Sequence, residues 1–255
     1  MPIRVLLYHD VVRDGRWTDS GFPEGHANIY KMTREDFDAH LRSLHAACSA
    51  PSLVTSGAAD GWMLTFDDGG SSALEEIAPA LERYGWRGHF FMTTGRIGAP
   101  GFLDVPGLRA LAERGHIIGS HSVTHPLVMS ACSPRQLRQE WRASAMMLAD
   151  HLGAAPTVAS IPGGAYSDAI AEAAEEAGIT RLFTSEPVPG TWRVGGVTCF
   201  GRYTLWRGMK PETAAGFATG QGLWPIRQRV GWEAKKLAKT VLGPRYQAIR
   251  RAVLP

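Results

Sequence analysis

Two acidic residues stand side by side at Asp67 and Asp68, followed by Gly69 and Gly70. Adjacent carboxylates repel unless a cation or a proton compensates them. In an extended segment they point to opposite sides, so one can face a metal ion while its neighbour faces a substrate. A plain Asp-Asp-Gly turn has the same letters, and the pair alone does not choose between the two. Some fifty residues later His121 and His125 are four apart, a spacing that a single helical turn would bring to one side. Neutral imidazole is the commonest metal ligand, and two of them with one carboxylate make a three-ligand site with open positions. A helix-start histidine with a solvent-facing neighbour would share that spacing. Cys48, Cys132 and Cys199 are an odd number without CxxC spacing, so neither a disulfide framework nor a thiolate zinc site is indicated.

The hydrophobic pattern shows what must position these groups. Strand patterns are predicted at Arg4–His9, Gly61–Phe66, His89–Thr93, His116–Ser120, Thr157–Ile161 and Ile179–Thr184. Helical spacing falls between them, at Phe37–Cys48, Ser72–Tyr84, Val105–Arg114, Pro134–Leu152 and Asp168–Ala177. Consecutive βα units with short connections mean an α/β fold, a parallel sheet covered by helices. Chemistry in such folds sits at the carboxyl ends of the strands. Tyr8-His9-Asp10, Asp67-Asp68-Gly69, the His121–His125 segment and Pro162-Gly163-Gly164 all fall there. Trp17–Ile29 contains Gly and Pro, lacks periodicity and is predicted to be a loop over one mouth of the fold. His9 ends a strand within reach of the site. His26, His40, His45 and His151 are expected on solvated surfaces, and His89 and His116 in structural roles.

Thr65-Phe66-Asp67-Asp68-Gly69 resembles the first motif of the polysaccharide deacetylases, the NodB-homology proteins of carbohydrate esterase family 4. Gly119-Ser120-His121-Ser122-Val123-Thr124-His125-Pro126 resembles their second motif, and Leu7-Tyr8-His9-Asp10-Val11 is similar to the start of many bacterial members. The likeness in order and spacing runs from about Ile3 to Leu205. It implies a distorted parallel (β/α) barrel of about seven strands and one divalent metal ion, zinc ahead of cobalt or nickel. By that resemblance Asp68, His121 and His125 would be the metal ligands and Asp67 the general base. The third motif corresponds to Ser160-Ile161-Pro162-Gly163-Gly164, which places Pro162 and the Gly163 N–H at the developing oxyanion. The metal would activate water and polarise an acetamide carbonyl while Asp67 takes the water's proton.

The chain departs from the family pattern in two places. The arginine that orients the base aspartate is Ser160 here, and the motif's aromatic is Gly163, which should widen the site. No histidine follows His151 to serve as the general acid of the later Leu-x-His motif, where Gly201-Arg202-Tyr203-Thr204-Leu205-Trp206 stands instead. His9 and Arg202 are the candidates to fill these gaps.

The 255 residues are 44% hydrophobic and 20% charged, which excludes a disordered, collagen-like or membrane-spanning class. Residues 224–255 carry eight basic side chains and one acid, whereas the remaining 223 carry 19 basic and 23 acidic. This pattern divides the chain into a body over 1–223, which the resemblance implies is a deacetylase-like domain, and a basic amphipathic tail over 224–255. The tail's apolar positions Val230, Ala234, Leu237, Ala238 and Val241 could lie on an anionic membrane or pack on the barrel, with packing slightly favoured. A second short helix would carry Tyr246, Ile249 and Val253. No nucleic-acid motif accompanies the charges. With no apolar leader before Ile3, a cytoplasmic location is expected, at most peripheral to the inner membrane. The leading reading is a hydrolase removing N-acetyl groups from a glycan or glycan precursor. A glycan-binding barrel without turnover and an amidohydrolase on another small acyl-amide are the alternatives.

Overall fold

The structure is a computed structural model and describes residues 2–57 and 60–242. In chain order its elements are β1 (Arg4–Tyr8), β2 (Val11–Val12), β3 (Met32–Thr33), α1 (Arg34–Ala47), β4 (Trp62–Phe66) and α2 (Ala78–Glu82). They continue with β5 (His89–Met92), α3 (Val105–Glu113), β6 (Ile117–Ser120), α4 (Pro134–Leu152), β7 (Val158–Ser160) and α5 (Asp168–Glu175). Last come β8 (Arg181–Phe183), β9 (Thr191–Val194), β10 (Val197–Phe200), β11 (Tyr203–Thr204), α6 (Pro211–Thr219) and α7 (Trp224–Leu242).

One sheet holds nine strands in the order β11-β1-β4-β5-β6-β7-β8-β10-β9, so the expected α/β class and parallel sheet are present. Only the β9–β10 hairpin is antiparallel. The count exceeds the expected seven because β9 to β11 follow Thr184, where β9 alternates exposed and half-buried residues in the manner of an edge strand. β10 and β11 lie at opposite sides of the sheet order, yet only Gly201 and Arg202 separate them. Three Cα steps span at most ~11 Å, so the sheet must curl until these strands nearly meet. Arg202 sits at that seam.

Strand periodicity then decides what faces the interior. Val5, Met63, Phe91, Val158, Phe183 and Phe200 form one buried cluster. Two residues further toward the carboxyl ends, the same alternation reaches Ser160 above Val158 and Arg202 above Phe200. On β4 it runs from Met63 through Thr65 to Asp67. The polar site is therefore the layer above an apolar plug. Leu6, Tyr8, Leu64 and Phe66 face the other way, into the core shared with α1, α3 and α6. α4 begins with a reciprocal capping box between Ser133 and Gln136 and buries Trp141 and Leu148.

His40 is fully buried, not solvated. Its Nε2 bonds the Met209 carbonyl at 2.9 Å and its Nδ1 meets the Tyr8 hydroxyl at 3.2 Å, two polar atoms that burial would otherwise strand. His89 and His116 are likewise buried, each bonded through both ring nitrogens.

The tail's first part packs differently from the favoured expectation. Gln228 pairs with both backbone groups of Thr204, at 3.0 and 2.8 Å, completing the hydrogen bonding of edge strand β11. Trp232 lies against Gly164. The polar and aromatic face of α7 thus meets the body, and Ile226 and Val230 remain 61% and 64% exposed. The second short helix with Tyr246, Ile249 and Val253 lies outside the described residues. Among the described residues no helix is long and apolar enough to cross a membrane.

Candidate active site

Asp67 ends the β4 column and is buried. Asp68 does not continue the extended backbone: its φ of 77° swings its carboxylate back toward the same mouth, so the two acids do not diverge as an extended pair would. Nor do His121 and His125 share a helical turn. The segment is a bend in which Ser122 and His125 take φ of 64° and 56°. Among the described residues, Asp68, Ser122 and His125 are the non-glycine positions with positive φ, at roughly 1–3 kcal/mol each. Strain concentrated there requires strong tethers. Glu140 on α4 provides them, its carboxylate accepting from the N–H groups of Val123 and Thr124 and from the Thr124 hydroxyl at 2.6–2.9 Å. Ser122 Oγ accepts from His125 N–H, and Ser120 Oγ from Ser122 N–H.

The result is a convergent cluster. His121 Nε2 and His125 Nε2 lie 3.5 and 3.4 Å from Asp68 Oδ1, and this buried oxygen has no hydrogen-bond partner. The three ligand atoms lie within 4.8 Å of one another. Ligands held ~2.0–2.1 Å from a tetrahedral ion are ~3.3–3.4 Å apart, so the spacing suits a cation better than direct hydrogen bonds. His121 Nδ1–H donates to the Ser160 carbonyl at 2.9 Å, which turns the Nε2 lone pair inward. Burial holds the His121 pKa down at about 4, keeping it neutral. Burial also works against charge on His125, but Asp68 beside it prevails and raises its pKa. Burial raises Asp68, yet the His125 imidazole beside it and the charges of His9 and His121 hold it well below the usual carboxylate range.

Asp67 sits in an arginine fork. Arg202 Nη1 and Nη2 donate to its two oxygens at 2.8 and 2.9 Å. Nη2 also donates to Ser160 Oγ at 2.7 Å, and Nε to the Thr184 carbonyl at 2.7 Å. Ser160 Oγ in turn donates to Asp67 at 2.9 Å. Burial pushes the Asp67 pKa up, but the Arg202 charge, then His121, outweigh it and the net shift is downward.

The other expected residues fall at the same mouth. His9 stacks on Tyr30 at 4.9 Å between ring centroids, and its Nδ1 is buried without a partner. Pro162 is buried, and Gly163 has φ 67°. A Cβ on Gly163 would stand 2.3 Å from the Leu127 carbonyl oxygen. Glycine there does not widen the site, because the Leu127 backbone already occupies the space. The loop spanning Trp17–Ile29 covers the mouth as expected, with Phe22 against the His125 ring at 4.8 Å. Buried Lys31 fastens it by donating to the carbonyls of Trp17 and Phe22, both at 2.6 Å. Asp10 accepts from Ser20 and Ser72 at 2.6 and 2.9 Å, and a Cβ on Gly70 would stand 2.0 Å from Asp10 Oδ1. Lys31 and Glu140 carry no local motif and were not singled out from sequence.

Residues 56–182 match the family model described as polysaccharide deacetylase. The chain belongs to the polysaccharide deacetylase family. Among relatives of this deacetylase-family chain, Bacillus subtilis YxkH, named for the same family, is 26% identical over 193 residues, 72% of this chain. The match spans 64% of YxkH's length. The fold is similar to that of the Streptococcus pyogenes deacetylase PplD, with a TM-score of 0.70 and 20% identity over 86% of this chain and 98% of that one. IcaB from Ammonifex degensii gives a TM-score of 0.68 at 18% identity over 88% and 97% of the two chains.

Proposed function

We propose that this family member is a divalent-metal-dependent hydrolase that removes N-acetyl groups from amino sugars of a polysaccharide or glycan precursor. The observation that carries the reading is the unpartnered Asp68 Oδ1 between two imidazole Nε2 atoms, beside Asp67. Asp68, His121 and His125 would hold the ion, and one oxygen with two nitrogens suits zinc, cobalt or nickel. When bound, the ion supplies Lewis-acid polarisation of the acetamide and a more acidic water.

The remaining steps belong to the chain. Asp67, kept ionised by Arg202, accepts the proton of the attacking water. The Gly163 N–H, on the turn begun by Pro162, faces the developing oxyanion. Arg202 substitutes for the motif arginine replaced by Ser160, reaching the same carboxylate from the β10–β11 seam. Its donors are engaged by Asp67, Ser160 and Thr184 and its guanidinium stays protonated, so it positions the base and does not protonate the leaving amine. His9, with a free buried Nδ1, is the group for that proton.

The test is acetate release from a panel of N-acetylated glycans, with metal content measured on the same preparation. His125→Ala should lose most bound metal and all acetate release. Full metal occupancy with no release from any glycan would overturn the reading in favour of a glycan-binding barrel. Release confined to small acylated amines would favour the amidohydrolase reading. Unchanged metal content in His125→Ala would refute the ligand assignment.

A further inference from the structure

Helix α7 shows an apolar stripe to solvent. Ile226 and Val230, four apart on one helical face, and Leu223 just before the helix are 61–64% exposed, and Trp224 is 40% exposed. In the sequence Ala234, Leu237 and Val241 fall at the next positions of the same series. The helix cannot turn this stripe inward, because Gln228 and Trp232 on the opposite face are held at Thr204 and Gly164. Both anchors lie at the mouth of the barrel. Two other mouth segments add exposed apolar residues: Leu127, 70% exposed, follows the His125 bend, and Ile29, 50% exposed, precedes the Tyr30 that stacks on His9. Exposed apolar groups gathered on one side of a molecule mark an interaction surface.

Charge selects the occupant. Trp224–Leu242 carries five cations, Arg227, Arg229, Lys235, Lys236 and Lys239, against the single acid Glu233. Two copies meeting through this stripe would set five cations against five. We infer that α7 and the mouth rim dock this protein on an anionic lipid membrane, the apolar stripe entering the headgroup boundary and the cations meeting lipid phosphates. The helix then lies in the interface and holds the active-site mouth at the lipid surface. Trp224, with Arg227 5.8 Å from its ring centroid, suits the headgroup level.

The experiment is co-sedimentation of the full chain with phosphatidylcholine vesicles, with and without about one-third phosphatidylglycerol. The protein should sediment only with the anionic vesicles and be released at ~0.5 M salt. An Ile226→Ser/Val230→Ser variant should bind at least ~10-fold more weakly while keeping its melting temperature. Equal binding to neutral vesicles, or unaltered sedimentation of the variant, would overturn the inference. So would a parent dimer that the double variant converts to monomer, since the stripe would then be a protein interface. Binding is read without turnover, so this inference and the catalytic reading stand or fall separately.

Discussion

Replacing Arg202 by Met tests how the base is held. Arg202 is fully buried and forks onto both Asp67 oxygens at 2.8 and 2.9 Å. Breaking a buried pair by removing one partner costs about 3–5 kcal/mol. At ~1.36 kcal/mol per pKa unit, that corresponds to a rise of ~2–4 units in the Asp67 pKa. The carboxyl would then titrate above its lowered position in the parent, because burial is left opposed mainly by His121. Since the base must be ionised, the acid limb of the kcat/KM profile should move up by that amount. Acetate release on the acid side of the profile should fall and recover as pH rises through the raised value. Stability should follow the same titration with opposite signs in the two proteins. In the parent, Asp67 has a lowered pKa, so its contribution is present above pH ~3.9 and is lost as pH falls through the folded value. In the variant the penalty grows as pH rises from ~3.9 through the raised value. Arg202→Lys keeps the charge without the fork and should place the limb between the two. An acid limb that stays in place, with a melting-temperature deficit independent of pH, would refute the argument.

Asp67→Asn should retain the metal, since Asp67 is not a ligand in this assignment, and slow acetate release at least ~10²-fold; metal analysis beside the rate checks both parts. His9→Ala should lower turnover, whereas an unchanged rate would leave Asp67 returning the proton to the amine itself. Glu140→Ala removes three hydrogen bonds from the His125 bend and should weaken metal binding ~10–100-fold. The same variant should cost ~1–3 kcal/mol of stability, and metal titration with thermal melting separates the two effects.

Asp67, Asp68, His121 and His125 were legible in the sequence because each motif is local and lies at the end of a strand whose apolar run is unmistakable. Strand alternation alone also puts Asp67 on the interior column with Met63 and Thr65. Tertiary structure decided the rest, because the contacts join distant parts of the chain. The Arg202–Asp67 fork spans 135 residues and exists only because the sheet curls far enough for β10 and β11 to be bridged by two residues. The histidine pair meets through left-handed backbone at Ser122 and His125, which i, i+4 spacing cannot reveal, since its tether is Glu140 on the next helix. Gly163 read as added room because a sequence shows a missing side chain and not the Leu127 carbonyl that replaces it. The amphipathic pattern of α7 was plain from its residues. Which face meets the barrel was settled by two side chains, Gln228 completing the open edge of β11 and Trp232 filling the space beside Gly164. A hydrophobic period reports that a helix has two faces; only its neighbours determine where each one points.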